Sequence, residues 1–501
     1  MPDKVLVANR GEIAVRVLRT CRELGLETVA VFSEADREAP HVRYADAAYC
    51  IGPPPPQESY LRAERIIEVA VESGAQMLHP GYGFLAESPS FACMCAEAGI
   101  TFVGPSPEAM RLLGDKIAAR QVARDLGIYV IEGSACALDD RALLEAADGI
   151  GYPAMIKATA GGGGMGIRAV HSREELEAAI PLARREAKAA FGDDKIYLER
   201  LMEGVRHIEV QLLADTHGHV IHLNERECSI QRRRQKLIEE APSRALNEDL
   251  RRAICQAAVR IGQAVAYVGA GTVEFLLGDD GTFYFLEVNP RLQVEHSVTE
   301  AITGVDIVKE QLRIAAGREL RCAQESIQPR GWALECRILA EDPIQGFIPA
   351  VGRIGRMREP GGPGIRVDSG ISEGLKITSL YDPLLAKLIA WGETRGVAIV
   401  RMRRALDEYR IVGVQTNLDL HRALLDSHRF FGGQFHTRFL EEQFLEMSTL
   451  PDVGREDRLA VALTAALLDY QRRRGAQVSL EPDVSRWKMI GRWELMRGWN
   501  G

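Results

Sequence analysis

The chain has 501 residues, 46% of them hydrophobic, and a formal net charge of −8. That length accommodates about three domains, each able to bury its own core. The acidic balance offers no basic face for nucleic acid. Nine cysteines are scattered without CxxC spacing, the pattern of reduced thiols rather than a zinc or disulfide framework. No stretch approaches the ~18 apolar residues needed to cross a bilayer. MPDKVLVANRGE enters a strand pattern at once, with no room for a signal or transit peptide. The expectation is a soluble, cytoplasmic protein.

In chain order, KVLVA reads as a strand and NRGEIAVRVLRTCRELG as a helix ending on Gly25, with ETVAVFSEAD as a second strand. This alternation predicts a doubly wound parallel sheet. Its first turn lacks the glycines of GxGxxG, so the unit reads as structural rather than as a dinucleotide site. PPPPQ, 53 to 57, is a rigid surface loop. In AQMLHPGYGFLAES, Gly81 and Gly83 flank Tyr82 at a strand's C-terminal end, where such sheets place ligands, although a plain tight turn fits equally. Residues 131 to 200 form a small block: strand PAMIKA, the run KATAGGGGMGIR, strand IRAV, a helix near 172 to 190 and strand KIYLER. From 205 longer strands follow (HIEVQLLAD, HVIHLN, GAGTVEFLL, TFYFLEV), predicting a large antiparallel sheet. EDRLAVALTAALLDYQRRRG is a last helix before a tail bearing Trp487, Trp493 and Trp499.

Three stretches carry chemistry. In GAGTVEFLLGDDGTFYFLEVNPRLQVEH, GDDG is a hairpin turn between two apolar runs. A loop at 278 to 281 sets Glu274 opposite Phe285, with Glu287 its diagonal neighbour on the same face. An extended chain keeps Asn289, Arg291, Gln293 and Glu295 on that face too, and a one-residue slip would part the glutamates. Two carboxylates and an amide oxygen suit Mg²⁺; the alternative is an ordinary solvated face. In NERECSIQRRRQKLIEEAPS, Glu225, Glu227, Glu239 and Glu240 cancel most of the field of Arg232, Arg233, Arg234 and Lys236. Cations beside an acidic hairpin would neutralise phosphate and a small anion during phosphoryl transfer. His207 reads as a packed core histidine. The glycine run lacks GxxxxGK[ST]; it is a phosphate-covering flap or a flexible hairpin.

KATAGGGGMGIR, RECSIQRRRQK, GTVEF with LEVNPRLQVEHSVTE, ECRILAEDP, and YDPLLAKLIAWGE with RMRRAL together resemble biotin carboxylase, of the ATP-grasp fold. VLVANRGEIAVRVLR and HPGYGFLAES resemble its N-terminal segment, and the likeness runs to about residue 447. It implies an α/β protein of ATP-grasp architecture: an N-terminal doubly wound parallel sheet, a small mobile lid domain and a large C-terminal domain with an antiparallel sheet. The divisions are 1–115, a connecting helical segment at 116–130, the lid at 131–203, the C-terminal domain at 204–447 and a tail at 448–501. The implied activity is carboxylation of biotin by bicarbonate and ATP through carboxyphosphate.

The same resemblance assigns residues. Glu274, Glu287 and Asn289 fall on the metal, two Mg²⁺ or Mn²⁺ ions. Lys116, Lys157, Gly163, Gly164, Ile167, Glu199, Leu201, His207, Gln231 and Leu276 fall where ATP is held. Lys236, Arg291, Gln293 and Val294 hold bicarbonate, Glu295 is the base, and Arg337 stabilises the biotin enolate. Tyr82 and Gly83 line the biotin pocket. Met165, Arg234, Ser297, Trp332 and Leu339 depart from the usual pattern. The biotinylation pattern AMKM is absent; RWKMIG, 486 to 491, lacks the Ala-Met. Biotin is therefore expected on a separate biotin carboxyl carrier protein, with a separate carboxyltransferase and an acyl-CoA or pyruvate as final acceptor. A homodimer is implied through Arg19, Glu23 and Arg366, and the tail is a candidate docking element. Two other readings stand beside this one: an ATP-grasp ligase joining a carboxylate to an amine, and a non-catalytic ATP-binding scaffold. Neither calls for the Arg291–Glu295 block together with Arg337.

Overall fold

Strands rich in Val, Ile and Ala open the chain, and they are buried on both faces, as a parallel sheet covered by helices requires. In the computed structural model, which describes residues 3–134, 139–159 and 167–442, strands β1 (Lys4–Val7), β2 (Glu27–Ser33), β3 (Ala47–Gly52), β4 (Met77–His79) and β5 (Thr101–Phe102) form a parallel sheet of order β3-β2-β1-β4-β5. Helix α1 (Gly11–Glu23) buries Ile13, Ala14, Val17, Leu18 and Cys21 in the core shared with β1. The loop after β4 is a built element rather than a plain turn. Asn9 Nδ2 donates to the carbonyls of Pro80 (2.7 Å) and Tyr82 (2.8 Å). Gly81 sits at φ +65°, where a Cβ would lie 2.8 Å from that Nδ2.

A second, three-stranded sheet has β6 (Ala154–Ala158) between β7 (Ile167–Val170) and β8 (Ile196–Arg200), all antiparallel. Helices Asp140–Ile150 and Arg173–Phe191 cover it, burying Leu143, Leu176, Ile180 and Leu198. The glycines between β6 and β7, including Gly163 and Gly164, and Met165 lie outside the described residues, as do the predicted helix at 456–475 and the tryptophan tail.

The largest sheet is antiparallel throughout. Its order is β13 (Phe283–Asn289), β12 (Gly269–Leu277), β9 (Arg206–Ala214), β10 (Val220–Arg232), β11 (Gln235–Ala241), β14 (Trp332–Leu339), then strands Leu384–Gly392 and Ile365–Ser369. Two local expectations are corrected here. A register shift between Glu274 and Phe275 pairs Glu274 directly with Glu287 and leaves Phe275 opposite Phe285, so the two glutamates are nearest rather than diagonal neighbours. The chain is not extended beyond Asn289: Pro290 ends the strand, a turn follows, and helix His296–Thr303 begins at residue 296. The arginine-rich stretch folds as a hairpin, with Arg233 and Arg234 as its two-residue turn at φ +46° and +67°. Left-handed turn residues suit the sheet twist, at a cost of about 1 kcal/mol or more for each non-glycine. Among the described residues no helix is long and apolar enough to cross a membrane.

Candidate active site

Strand β9 alternates apolar Ile208, Val210 and Leu212 with polar His207, Glu209 and Gln211. Glu209 lies directly opposite Glu274 on β12, which in turn faces Glu287 on β13. Three carboxylates thus occupy one row across three strands. Such a row is stable only with cations set against it.

Lys236, from β11, is the first of them. Its Nζ donates to Glu209 (2.5 Å), Glu274 (3.0 Å) and Glu295 (2.6 Å). Burial opposes its charge, but the carboxylates Glu209, Glu274 and Glu295 outweigh that and hold the ammonium well above its ordinary range. Arg226, wholly buried, is the second. It bonds Glu209, the Gln211 Oε1 (2.7 Å), and the hydroxyls of Thr299 and Thr272 (3.0 Å each). The third is Arg337 on β14, whose Nη2 donates to Glu295 (2.9 Å) and whose Nε donates to Glu239 (2.6 Å). Burial pushes Glu295 up, yet Lys236, Arg337 and Arg226 together hold it well below the usual carboxylate range. The backbone carbonyl of Arg337 accepts from Asn417 Nδ2 (2.9 Å) and His421 Nε2 (2.8 Å). Burial keeps His421 neutral by pushing it down to about 4, so Nε2 carries the proton that the carbonyl receives.

Glu274 also meets His207 Nε2 (3.0 Å) and accepts from Asn289 Nδ2 (2.9 Å). Burial would raise it, but Lys236 and His207 pull it below the carboxylate range. Glu287 behaves oppositely. Burial and the charge of Glu274 push it up, and its nearest cation, Lys116, is 3.9 Å away. Glu287 is therefore the under-neutralised acid of the row, and its side chain is 33% exposed. His207, Glu209 and Glu274 also bring ligand atoms within 4.8 Å of one another. Lys236 and Arg226 already neutralise that trio, so a hard cation suits the Glu274–Glu287 side better.

The turn after β13 brings in the remaining predicted side chains. Arg291 reaches Glu87 (2.8 Å), Asn289 Oδ1 (3.2 Å) and Gln293 Oε1 (3.1 Å). Gln293 lies 3.4 Å from Glu274. The Val294 carbonyl accepts from Lys387 Nζ at 2.5 Å. Lys387, fully buried, also donates to Ser297 Oγ (2.9 Å) and stands 3.6 Å from Glu12, which accepts the Tyr82 hydroxyl. Gly83, beside Tyr82, is exposed.

The nucleotide candidates fall in two groups. Gln231 Nε2 meets His207 Nδ1 (3.2 Å), and Leu276 pairs across the ladder with His207. These adjoin the carboxylate row. Lys157 instead bonds Glu199, which Arg120 grips from the other side. Burial pushes Lys157 down while Glu199 opposes the fall. Leu201 follows β8, its N–H bonded to the Pro153 carbonyl (3.0 Å), and Ile167 opens β7. Among the departures, Arg234 reaches the Met155 Sδ (3.6 Å) and Trp332 Nε1 donates to Glu240 (3.3 Å). Leu339 N–H donates to Asn417 Oδ1 (2.9 Å).

Sequence reasoning passed over Glu209, Arg226, Arg120, Lys387 and Glu12, and treated Glu239 only as a charge. The signal for Glu209 was present: His207, Glu209 and Gln211 recur at period two within an apolar strand. Lys387 likewise interrupts the apolar run LLAKLIAWG. Arg226 gave no such signal, because it is embedded in a charged stretch.

Residues 1–110 match the family model of the biotin carboxylase N-terminal domain, 115–323 that of the carbamoyl-phosphate synthase L chain ATP-binding domain, and 335–442 that of the biotin carboxylase C-terminal domain. The chain is 52% identical over 443 residues to a pyruvate carboxylase subunit from Methanothermobacter thermautotrophicus, covering 88% of this chain and 90% of the relative. It is 49% identical to biotin carboxylase 1 of Bacillus subtilis, with 88% and 98% covered. Among solved structures, the biotin carboxylase domain dimer of Hydrogenobacter thermophilus 2-oxoglutarate carboxylase, in complex with MgADP, ADP and bicarbonate, superposes with a TM-score of 0.86 at 49% identity, covering 88% of this chain and 98% of that one. A biotin carboxylase–ATP complex from Campylobacter jejuni gives 0.86 at 43% identity, with 88% and 99% covered.

Proposed function

This chain belongs to the biotin carboxylase family, and we propose that the face bearing Lys236, Glu295 and Arg337 is where it carries out the family's reaction. The enzyme uses ATP and bicarbonate to carboxylate biotin. A bicarbonate oxygen attacks the γ-phosphorus, ADP leaves, and the resulting carboxyphosphate breaks into CO₂ and phosphate. Phosphate then takes the N1′ proton of biotin, and the ureido enolate forms the N–C bond to CO₂.

Glu274 and Glu287 with Asn289 fit a divalent cation, because the unrelieved repulsion at Glu287 is what such an ion would remove. That ion, Mg²⁺ or Mn²⁺ in a pair, supplies charge neutralisation at the phosphate oxygens. Lys116, Lys157, Gly163, Gly164, Ile167, Glu199, Leu201, His207, Gln231 and Leu276 are the residues assigned to ATP, and 131–203 is assigned to the lid. Lid closure would keep water from carboxyphosphate.

Lys236, Arg291, Gln293 and Val294 hold bicarbonate. Glu295 takes its proton, and a specific event enables this. While Lys236 is bonded to it, Glu295 is too weak a base. Bicarbonate entering between them draws Lys236 onto itself, removes that cation from Glu295 and raises its proton affinity. Arg337 keeps Nη1 for the biotin ureido oxygen, with Tyr82 and Gly83 at the pocket wall. Biotin arrives on a separate carrier protein, and a separate carboxyltransferase hands the carboxyl group on. A homodimer forms through the groove of about 360 Å³ that Arg16, Arg19, Glu23 and Arg366 line.

The observation that supports this reading best is the continuous bonding from Glu274 through Lys236 and Glu295 to Arg337. ADP release by the purified chain tests it. Release should require Mg²⁺ and bicarbonate and rise with free biotin; release indifferent to both bicarbonate and biotin would overturn it.

A further inference from the structure

Arg337 is gripped along one edge only. Its Nε and Nη2 are committed to Glu239 and Glu295 at 2.6 and 2.9 Å, while no partner is found for Nη1 among the described residues. Glu295 cannot serve as the permanent anchor, because the proposed reaction asks it to take a proton and so weaken its bond to the arginine. Glu239 has no such duty. It is fully buried on β11, and its second oxygen, Oε2, has no hydrogen-bond partner. Its ladder partner on β14 is Glu335, which is also fully buried with both carboxyl oxygens unpartnered. Lys236, the other cation on β11, donates to Glu209, Glu274 and Glu295 and leaves Glu239 to Arg337. A buried carboxyl with one oxygen unsatisfied is costly to keep, and among the described residues only Arg337 is hydrogen-bonded to it.

We propose that Glu239 is a positioning residue: it fixes the Nε edge of Arg337 throughout the cycle, so that Nη1 stays aimed at the ureido oxygen of biotin while Glu295 changes its protonation. The proposal rests on the reading of Arg337 given above. The backbone clamp of Asn417 and His421 on the Arg337 carbonyl fixes where the side chain starts, and Glu239 fixes where it ends. Without Glu239 the guanidinium can rotate about its terminal bonds, and a displacement of about 1 Å at a reacting group can cost on the order of 100-fold in rate.

The test uses the full chain with free biotin and three variants. Glu239→Ala should lower kcat for biotin carboxylation by roughly 10- to 100-fold, while the KM for ATP and the slow bicarbonate-dependent ADP release without biotin stay within about twofold. Glu239→Gln, which keeps an oxygen acceptor for Nε, should recover most of the loss. A purely structural role would instead move the ATP parameters and biotin turnover together. Arg337→Ala separates the two claims. If it abolishes biotin carboxylation and Glu239→Ala does not impair it, the positioning role is wrong and the arginine's role stands. If Arg337→Ala carboxylates biotin normally, the underlying reading of the site fails. Equal loss in the Ala and Gln variants, or a matching loss of ATP binding, also overturns the proposal.

Discussion

Replacing Lys236 by Met removes the cation on which three buried carboxylates converge, and the consequences can be followed group by group. Glu209 retains Arg226, Glu295 retains Arg337, and Glu274 retains His207 and the Asn289 amide. None is left wholly unpaired, so the penalty falls at the lower end of the range for breaking a buried pair, about 3 kcal/mol near neutral pH. The sign of its pH dependence follows from linkage. In the wild type Glu274 and Glu295 are held below their unfolded pKa values, so their stabilising contribution is complete above about pH 4.5 and is lost only on stronger acidification. In Lys236→Met the same groups are pushed upward, bind protons in the folded state below neutrality, and recover stability as pH falls. Thermal unfolding at pH 7.5 and 5.5 reads this directly. The variant should melt several degrees below wild type at pH 7.5, with the gap narrowing at pH 5.5. A gap of constant size, or one that widens on acidification, would refute the assignment of Lys236 as the shared counter-charge. The variant should also lose bicarbonate-stimulated ADP release; retention would contradict its role toward the anion.

Three other outcomes are expected. Glu287→Gln removes an oxygen anion from the proposed metal pair, and the Mg²⁺ concentration for half-maximal ADP release should rise by roughly tenfold or more; an unchanged requirement would remove Glu287 from the metal site. Glu335 is pushed well above the carboxylate range by burial, and Glu239 adds to the rise. A folded-state pKa above the unfolded value means a contribution that is full at low pH and lost as pH rises, so the stability of Glu335→Gln relative to wild type should increase from pH 5 to pH 8; a pH-independent difference over that range would show that the group is already ionised in the folded protein. Met165→Arg, which adds a cation at a position within the run assigned to ATP, should lower the KM for ATP; an unchanged KM would remove residue 165 from the candidate phosphate contacts.

Most of the fold was legible because its elements announce themselves locally. The first strand–helix–strand alternates cleanly, GDDG is a strong hairpin turn, and strands β6 and β7 are separated by a run of glycines in the sequence. Register was harder to read. One shift between Glu274 and Phe275 turned a diagonal pair into a direct one, and nothing in the residue types there marks a bulge. The Arg291–Glu295 segment reaches the site by a turn, not by an extended chain; Pro290 was the clue that strand pairing stops. The hairpin at Arg233 and Arg234 was hidden because arginine is a poor residue for left-handed turn positions. Supporting groups such as Arg226, Glu239 and Lys387 come from strands remote in sequence and acquire meaning only once the eight-stranded sheet is assembled. The resemblance named the candidate substrate residues; the three-dimensional arrangement showed which side chains hold them.

The most direct test of the central claim is transfer of labelled carbon from bicarbonate to free biotin by the purified chain, measured beside ADP release. Label should enter biotin only with ATP and a divalent cation present, and Arg337→Ala should abolish that entry while ATP binding persists. Labelled biotin formed without ATP, or none formed while ADP release proceeds in response to biotin, would contradict the account.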